Sequence, residues 1–370
     1  MLHPLNVRYA TQRQQDGEGL ILILLCHGVK IAAKVCAVTL RLPFMTDTTD
    51  SHSFFVTLLA GKSNTANTLR FLEQQADQGI DADDLTALVQ AMRSHALPFP
   101  PAPEAIDVCG TGGDGLNTPN ISTAVALTVA GCGVPVVKHG NRAASSACGS
   151  ADVLEELGVK LEVPVGTATE VLREAHICFL FARLYHPALR HAAEARKLFG
   201  KRSIFNLAGP LANPAHPRRQ LVGVYDKAWL QPMAEALRQL GSIVSWVVHS
   251  RDGMDEISTL APSDITCLRN GKITTFTLFP ADYGLVPPRP EELAGGDATE
   301  NARLLRGLLA GGTGALHDIV CLNAAAALVV ADNAANIAEG LEHARQSLKS
   351  GAAAQALARL VTITNGKANP

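Results

Sequence analysis

The chain has 370 residues, 47% of them hydrophobic, which is enough for a sizeable core and for more than one domain. A formal net charge of −2 and a pI near 6.6 give no bulk attraction to nucleic acid or anionic membrane, and 5% aromatic content disfavours a base-stacking surface. The eight cysteines are scattered without CxxC pairs, which argues against a disulfide framework or a zinc site and fits reduced thiols in the cytoplasm.

Taken in chain order, residues 1–44 read unlike the rest. The apolar run Leu20–Cys26 is too short for a membrane span, and Asp16 and Glu18 before it do not suit a signal peptide. The expectation is an irregular, atypical extension or an early start, with Met45 the natural one. From Ser53 to His95 the apolar spacing is helical, carried by Leu69, Leu72 and Ala76 and then by Leu85, Leu88 and Met92. Asp81 suits a helix N-terminus. Pro98–Pro103 reads as a linker or hinge.

Beyond it, short apolar strands alternate with helices: Ile106–Cys109, a helix from Ser122, Val134–Val137 and a helix from Ala151. That alternation predicts a parallel α/β sheet. Glu170 to Leu198 reads as a return to helix. Ser203–Asn206, Val222–Tyr225, Ser245–His249 and Lys272–Phe276 are further strand candidates, and the C-terminal part is Ala/Leu-rich helix. The expected fold class is α/β, a small all-helical domain beside a larger α/β domain with a mainly parallel central sheet. The expected boundaries are 45–100, with about 165–198 returning, for the helical domain, and 104–164 with 199–370 for the α/β domain.

Residues Gly110 to Ser150 carry the chemistry. Gly110, Gly112, Gly113 and Gly115 crowd a turn between a strand and a helix, where bare amides and the helix N-terminus suit an anion. Past the next strand, Lys138, His139, Asn141, Arg142, Ser145 and Ser146 supply two fixed cations and small donors. Two donor-rich loops after successive strands make a phosphate site the leading reading. Asn120-Ile121-Ser122-Thr123 alone would read as a plain N-cap; after the glycine turn its hydroxyls and amides read as facing phosphate or hydrated magnesium. Asp114 is either a turn residue or a group near metal. Asp255 and Glu256 follow an apolar strand; they read as a solvated acidic turn, or as a Mg²⁺ site once the phosphate loops are considered. Arg196 and Lys197 alone read as ordinary surface-helix residues. The Phe205–Pro214 segment reads as a structural loop.

With these residues laid out, the chain resembles the anthranilate phosphoribosyltransferases, of the nucleoside-phosphorylase-like phosphoribosyltransferase class. The resemblance rests on GTGGDG (110–115), NIST (120–123), KHGNR (138–142), GSADVLEELG (149–158), AEARKLFGKRSIFNLAGPLANP (193–214), DGMDE (252–256) and NAAAALVV (323–330), in family order from about Leu58 onward. It implies that phosphoribosyl diphosphate is surrounded by Gly110, Gly113, Asp114, Thr118, Asn120, Ile121, Ser122, Thr123, Lys138, His139, Gly140, Asn141, Arg142, Ala143, Ala144, Ser145, Ser146 and Ser150. It further implies that Ser122, Asp255 and Glu256 hold magnesium, two ions in all, and that Gly110, Asn141 and Arg196 face anthranilate. No covalent or general-base residue is implied. The implied reaction is phosphoribosyl transfer to the anthranilate amine, in tryptophan synthesis, by a cytoplasmic homodimer.

The sequence departs from the family pattern at Pro119, usually aromatic, at Ala143, Ala144, Ala147 and Cys148 in the basic loop, and at Ser250, commonly glycine. The family's first helix is not recognisable before Leu58, and that helix normally helps build the dimer interface. A pyrimidine nucleoside phosphorylase is the rival of the same class, disfavoured by KHGNR and by GTGGDG with NIST. A nucleic-acid-binding homologue would lose the acidic pair or gain a basic surface, and a Rossmann dehydrogenase would need GxGxxG.

Overall fold

A computed structural model describes residues 51–143 and 147–366, together with the backbone of three strands within residues 8–33. The first 49 residues and the remainder form two separate units. In the first, β1 (Arg8–Arg13), β2 (Leu20–Cys26) and β3 (Val29–Ala33) form an antiparallel sheet in that order. The irregular extension expected there is therefore corrected over these strands: the Leu/Ile run of β2 pairs on both sides.

The second unit opens with three helices, Ser51–Leu59, Thr65–Gln78 and Ala82–Ser94. Asp81 caps the third, accepting from the Asp84 amide at 2.8 Å, a contact typically worth about 1 kcal/mol. A seven-stranded sheet follows, built from β4 (Ile106–Gly110), β5 (Val136–Gly140), β6 (Ile177–Phe181), β7 (Arg219–Gly223), β8 (Val244–Ser250), β9 (Ser263–Arg269) and β10 (Lys272–Leu278). The spatial order is β10-β9-β8-β7-β4-β5-β6. The five strands from β8 to β6 are parallel, and β9 and β10 add an antiparallel edge.

Two expectations are corrected here. Residues 170–198 are not continuous helix, because β6 (ICFLF), buried at every position, interrupts them. The segment around Phe205 is not a strand entering a loop: Ile204–Ala208 is a short helix and Gly209–Leu211 a 3₁₀ turn.

Consecutive strand residues point to opposite faces, and each face has its own apolar cluster. Val108, Leu221, Trp246 and Val248 pack with helices Ile121–Gly131, Ala315–Val330, Ile337–Lys349 and Ala352–Thr364. Cys109, Val222 and Val247 pack with Phe55, Leu85, Leu88, Met92 and Leu237, so the N-terminal helices share a core with the other face of the sheet. Helices Ile121–Gly131 and Ala315–Val330 are buried almost all round, which explains their predominantly apolar sequences.

The chain runs from β4 to β5 on one side and later returns to β7 on the other side of β4. The sheet therefore has a topological switch point between β4 and β7, where open α/β sheets form a crevice at their carboxyl ends. Gly110 and Gly223, the last residues of these two strands, are register partners at that point.

Candidate active site

The glycine turn and the acidic pair meet at this crevice. Asp255 is buried, and its Oδ2 accepts from the Gly112 amide at 2.7 Å. The approach is close enough to require glycine on both strands. A Cβ on Gly110 would run into the Asp255 carboxylate, and one on Gly223 into the Asp255 backbone oxygen. Gly112, Gly113 and Gly115 all have positive φ, between 66° and 80°, which a side chain would resist.

Asp114, on the turn, completes a trio with Asp255 and Glu256, each offering an oxygen within 4.8 Å of the others. Burial, followed by the Asp114 charge, raises the Asp255 carboxyl to about 6. Burial and the two neighbouring carboxylates push Glu256 well above its ordinary value. Glu256 Oε2 is buried without a hydrogen-bond partner. Three crowded carboxylates with an orphaned oxygen form a hard-oxygen donor set that fits Mg²⁺. The acidic turn is held from behind by Asn323, whose Oδ1 accepts from the Ile257 amide at 2.9 Å while its Nδ2 donates to the Ile257 carbonyl at 2.7 Å.

Lys138 is buried rather than open to the loop. Its Nζ donates to the Val108 carbonyl at 2.6 Å and to Ser122 Oγ at 3.2 Å, so the cation lies beneath the helix start. Burial lowers its pKa, while Asp107 and Glu256 oppose that shift. Ser122, expected beside the metal, lines one small cavity with Asp255 and Glu256. Buried Asp107 is raised to about 6 by desolvation; it accepts from the His139 amide at 3.2 Å and from Asn213 Nδ2 at 2.8 Å.

His139 is also buried. Its Nδ1 lies 3.2 Å from the Gly209 carbonyl, and its ring centroid is 5.1 Å from that of buried His186. Burial lowers both, His186 to about 4. Asn120 does not cap its helix: its Nδ2 donates to the Cys148 carbonyl at 3.1 Å instead, which ties the two donor-rich loops together. Thr118 is half-buried beside it, Ile121 and Thr123 are buried, and Thr123 Oγ1 has no partner. Asn141 is exposed. Ser150 Oγ donates to the Asn141 carbonyl at 3.3 Å, beside Gly140.

Not every expected residue converges on the crevice. Arg142 pairs with Asp152 at 2.9 Å and Glu155 at 2.8 Å, bonds that raise its pKa, and the Ala143 amide also donates to Asp152. Ala144, Ser145 and Ser146 lie outside the described residues. Arg196, on the helix Arg190–Phe199, stacks over Phe205 at 5.1 Å and makes no ion pair among the described residues. Burial lowers its pKa.

The sequence reading missed Arg202, which donates to the Gly113 carbonyl and lies 4.1 Å above the Tyr225 ring. It also missed the bracing roles of Asn213 and Asn323. Arg202 and Asn213 fall inside the 193–214 motif and Asn323 opens the 323–330 motif, so the motifs held all three without marking what each holds.

A glycine turn and a carboxylate trio at the switch point of a mainly parallel sheet are the arrangement of an α/β enzyme with its crevice at the carboxyl edge of the strands. Residues 102–354 match the glycosyl transferase family, a/b domain. An anthranilate phosphoribosyltransferase of Parvibaculum lavamentivorans is 46% identical over 87% of this chain and 95% of its own length. Anthranilate phosphoribosyltransferase 2 of Streptomyces coelicolor is 48% identical over 82% and 90%. The crystal structure of the Thermus thermophilus anthranilate phosphoribosyltransferase superposes with a TM-score of 0.81 at 41% identity, over 85% of this chain and 94% of that one. The Saccharomyces cerevisiae enzyme in complex with PRPP and Mg does so at 0.78 and 26%, over 86% and 93%. The chain belongs to the anthranilate phosphoribosyltransferase family. Among the described residues no helix is long and apolar enough to cross a membrane.

Proposed function

We infer that the chain transfers the phosphoribosyl group of 5-phosphoribosyl 1-diphosphate to the amine of anthranilate, releasing diphosphate, as the second step of tryptophan synthesis from chorismate. The observation that carries the reading is the Asp255–Gly112 contact, which brings the acidic pair and the glycine turn to one edge of the sheet. An aromatic amine is already a nucleophile, so the protein's task is to position two substrates and stabilise the leaving group. The amides of the turn and of the helix from Ile121 face the diphosphate, with Thr118, Asn120, Ser122 and Thr123 beside them. Asp114, Asp255 and Glu256, with Ser122, would hold magnesium, two ions in this reading; when bound it neutralises charge on the departing diphosphate.

Arg196 supports the acceptor assignment. A half-buried guanidinium with no ion pair among the described residues suits a carboxylate such as that of anthranilate, which it can grip with two parallel bonds. Gly110 and Asn141 complete that subsite. The six cysteines among the described residues are free thiols, which fits the cytoplasm. The helical segments 51–94 and 182–199 form the smaller lobe of this reading, and the assembly is a homodimer.

Anthranilate fluorescence tests the proposal directly. Its decay should require the protein, phosphoribosyl diphosphate and Mg²⁺ together, and should stop on chelation. A folded protein that leaves the signal flat with all three present would sink it.

A further inference from the structure

Asn301 lies far from the glycine turn in sequence, on the helix Ala298–Leu309, yet it is 1% exposed and reaches Asn120 at the start of the helix Ile121–Gly131. Its Oδ1 accepts from the Gly296 amide at 2.8 Å, and its Nδ2 donates to Asn120 Oδ1 at 3.0 Å. The same Asn120 oxygen accepts from Cys148 Sγ at 3.2 Å, while Asn120 Nδ2 donates to the Cys148 carbonyl at 3.1 Å. Six residues before Asn301, the Gly295 amide donates to the Asn117 carbonyl at 2.8 Å. Gly295 packs so closely on Thr118 and Pro119 that a Cβ would meet their backbone at 2.6 and 2.7 Å. Asp297 caps the helix through the Glu300 amide at 2.9 Å, which fixes the segment that carries both contacts.

The segment Gly295–Asn301 therefore grips the 117–120 loop at two points and, through Asn120, the loop at Cys148. An asparagine at a helix start would ordinarily cap it; Asn120 is instead turned away by partners that satisfy both ends of its amide. A buried amide held at both ends has one orientation, and the loops on either side share it.

We propose that Asn301 is a positioning residue that locks the two donor-rich loops into one register before phosphoribosyl diphosphate binds. The proposal rests on the reading of those loops as the phosphoribosyl diphosphate site. Asn301 touches no substrate and acts through Asn120. Its loss leaves two loops that must be ordered by the ligand, which weakens binding of that substrate selectively.

The test uses Asn301→Ala and Asn301→Asp in the full chain. The aspartate keeps the acceptor for the Gly296 amide and sets a carboxylate oxygen against Asn120 Oδ1 in place of the donor, so it breaks the Asn120 contact while the Gly296 contact stands. Amide hydrogen exchange should rise about tenfold in peptides covering 117–123 and 147–150 in both variants, while 219–223 keeps its wild-type protection. The Michaelis constant for phosphoribosyl diphosphate should rise about five- to tenfold, with that for anthranilate within about twofold, in line with one lost hydrogen bond. Exchange confined to 295–301, an aspartate variant indistinguishable from wild type, or equal shifts for both substrates overturns the proposal. If wild type itself lacks the transfer activity, the reading of function falls, and hydrogen exchange still decides whether Asn301 couples the loops.

Discussion

Arg196 and the acidic pair are the residues whose removal speaks most directly to chemistry. Arg196→Ala should raise the Michaelis constant for anthranilate roughly tenfold or more, the cost of a lost charge-assisted pair, with little change for phosphoribosyl diphosphate. Steady-state kinetics in both substrates check this, and equal effects would remove Arg196 from the acceptor subsite. Asp255→Asn with Glu256→Gln should move the Mg²⁺ titration to higher concentration and cost roughly 100-fold or more in rate. An unchanged titration would take them out of the metal site. At this scale the sequence was informative about which residues gather and less so about where each points. Lys138 read as one of two fixed cations in the second donor-rich loop. Its ammonium instead turns inward to the Val108 carbonyl, a choice fixed by burial beside Asp107 and Glu256. Arg142 was read the same way, and here the local acids Asp152 and Glu155 claim it.

Among the elements, those with a clear period or a cap were legible, and the corrected ones share a physical cause. The helix capped by Asp81 and the strand–turn–helix around GTGGDG follow local rules. β6 reads ICFLF, five apolar residues with no alternation, because a strand covered on both faces needs none; periodicity cannot separate it from a buried helix. Helix Ile204–Ala208 was obscured by the prolines and glycine that follow it, which end it rather than prevent it. The strands that build the crevice carry their own test. Gly223→Ala would place a methyl group on the Asp255 backbone oxygen, so either β7 or the acidic turn must move. The expected cost is about 1–3 kcal/mol in denaturant unfolding, together with loss of the Mg²⁺ response. An alanine variant with wild-type stability and metal response would show that the two segments are not in the contact described.

For the molecule as a whole, residues 51–366 are organised by two apolar clusters on opposite faces of one sheet. His139 and His186 are buried against each other, with Arg93 nearby, in surroundings that disfavour a second positive charge. His186 titrates at about 4 when folded and near 6.5 when unfolded, so below 6.5 the unfolded chain binds the extra proton. Stability should be fully present above pH 6.5 and fall as the pH drops toward 4, losing roughly 2 kcal/mol by pH 5 from this group alone. Denaturant unfolding of wild type and of His186→Gln across that window is the check: the variant should show the shallower slope, and matching slopes would clear His186 of the effect. The strand alternation made the parallel sheet legible, but not the strand order that puts a switch point between β4 and β7. Asn213 and Asn323 sat within recognised motifs, yet for these and for Asn301 no local pattern announced the distant segments they bind.

The way the acidic turn is held has a consequence for ancestry. Gly110 and Gly223 must both stay bare for Asp255 to enter, and Asn323 must close on Ile257 from a helix much later in the chain. A recombination crossover anywhere between Gly110 and Asn323 would marry parts shaped for different partners. A shuffled chain should therefore keep this edge only when both parents already agree on these contacts.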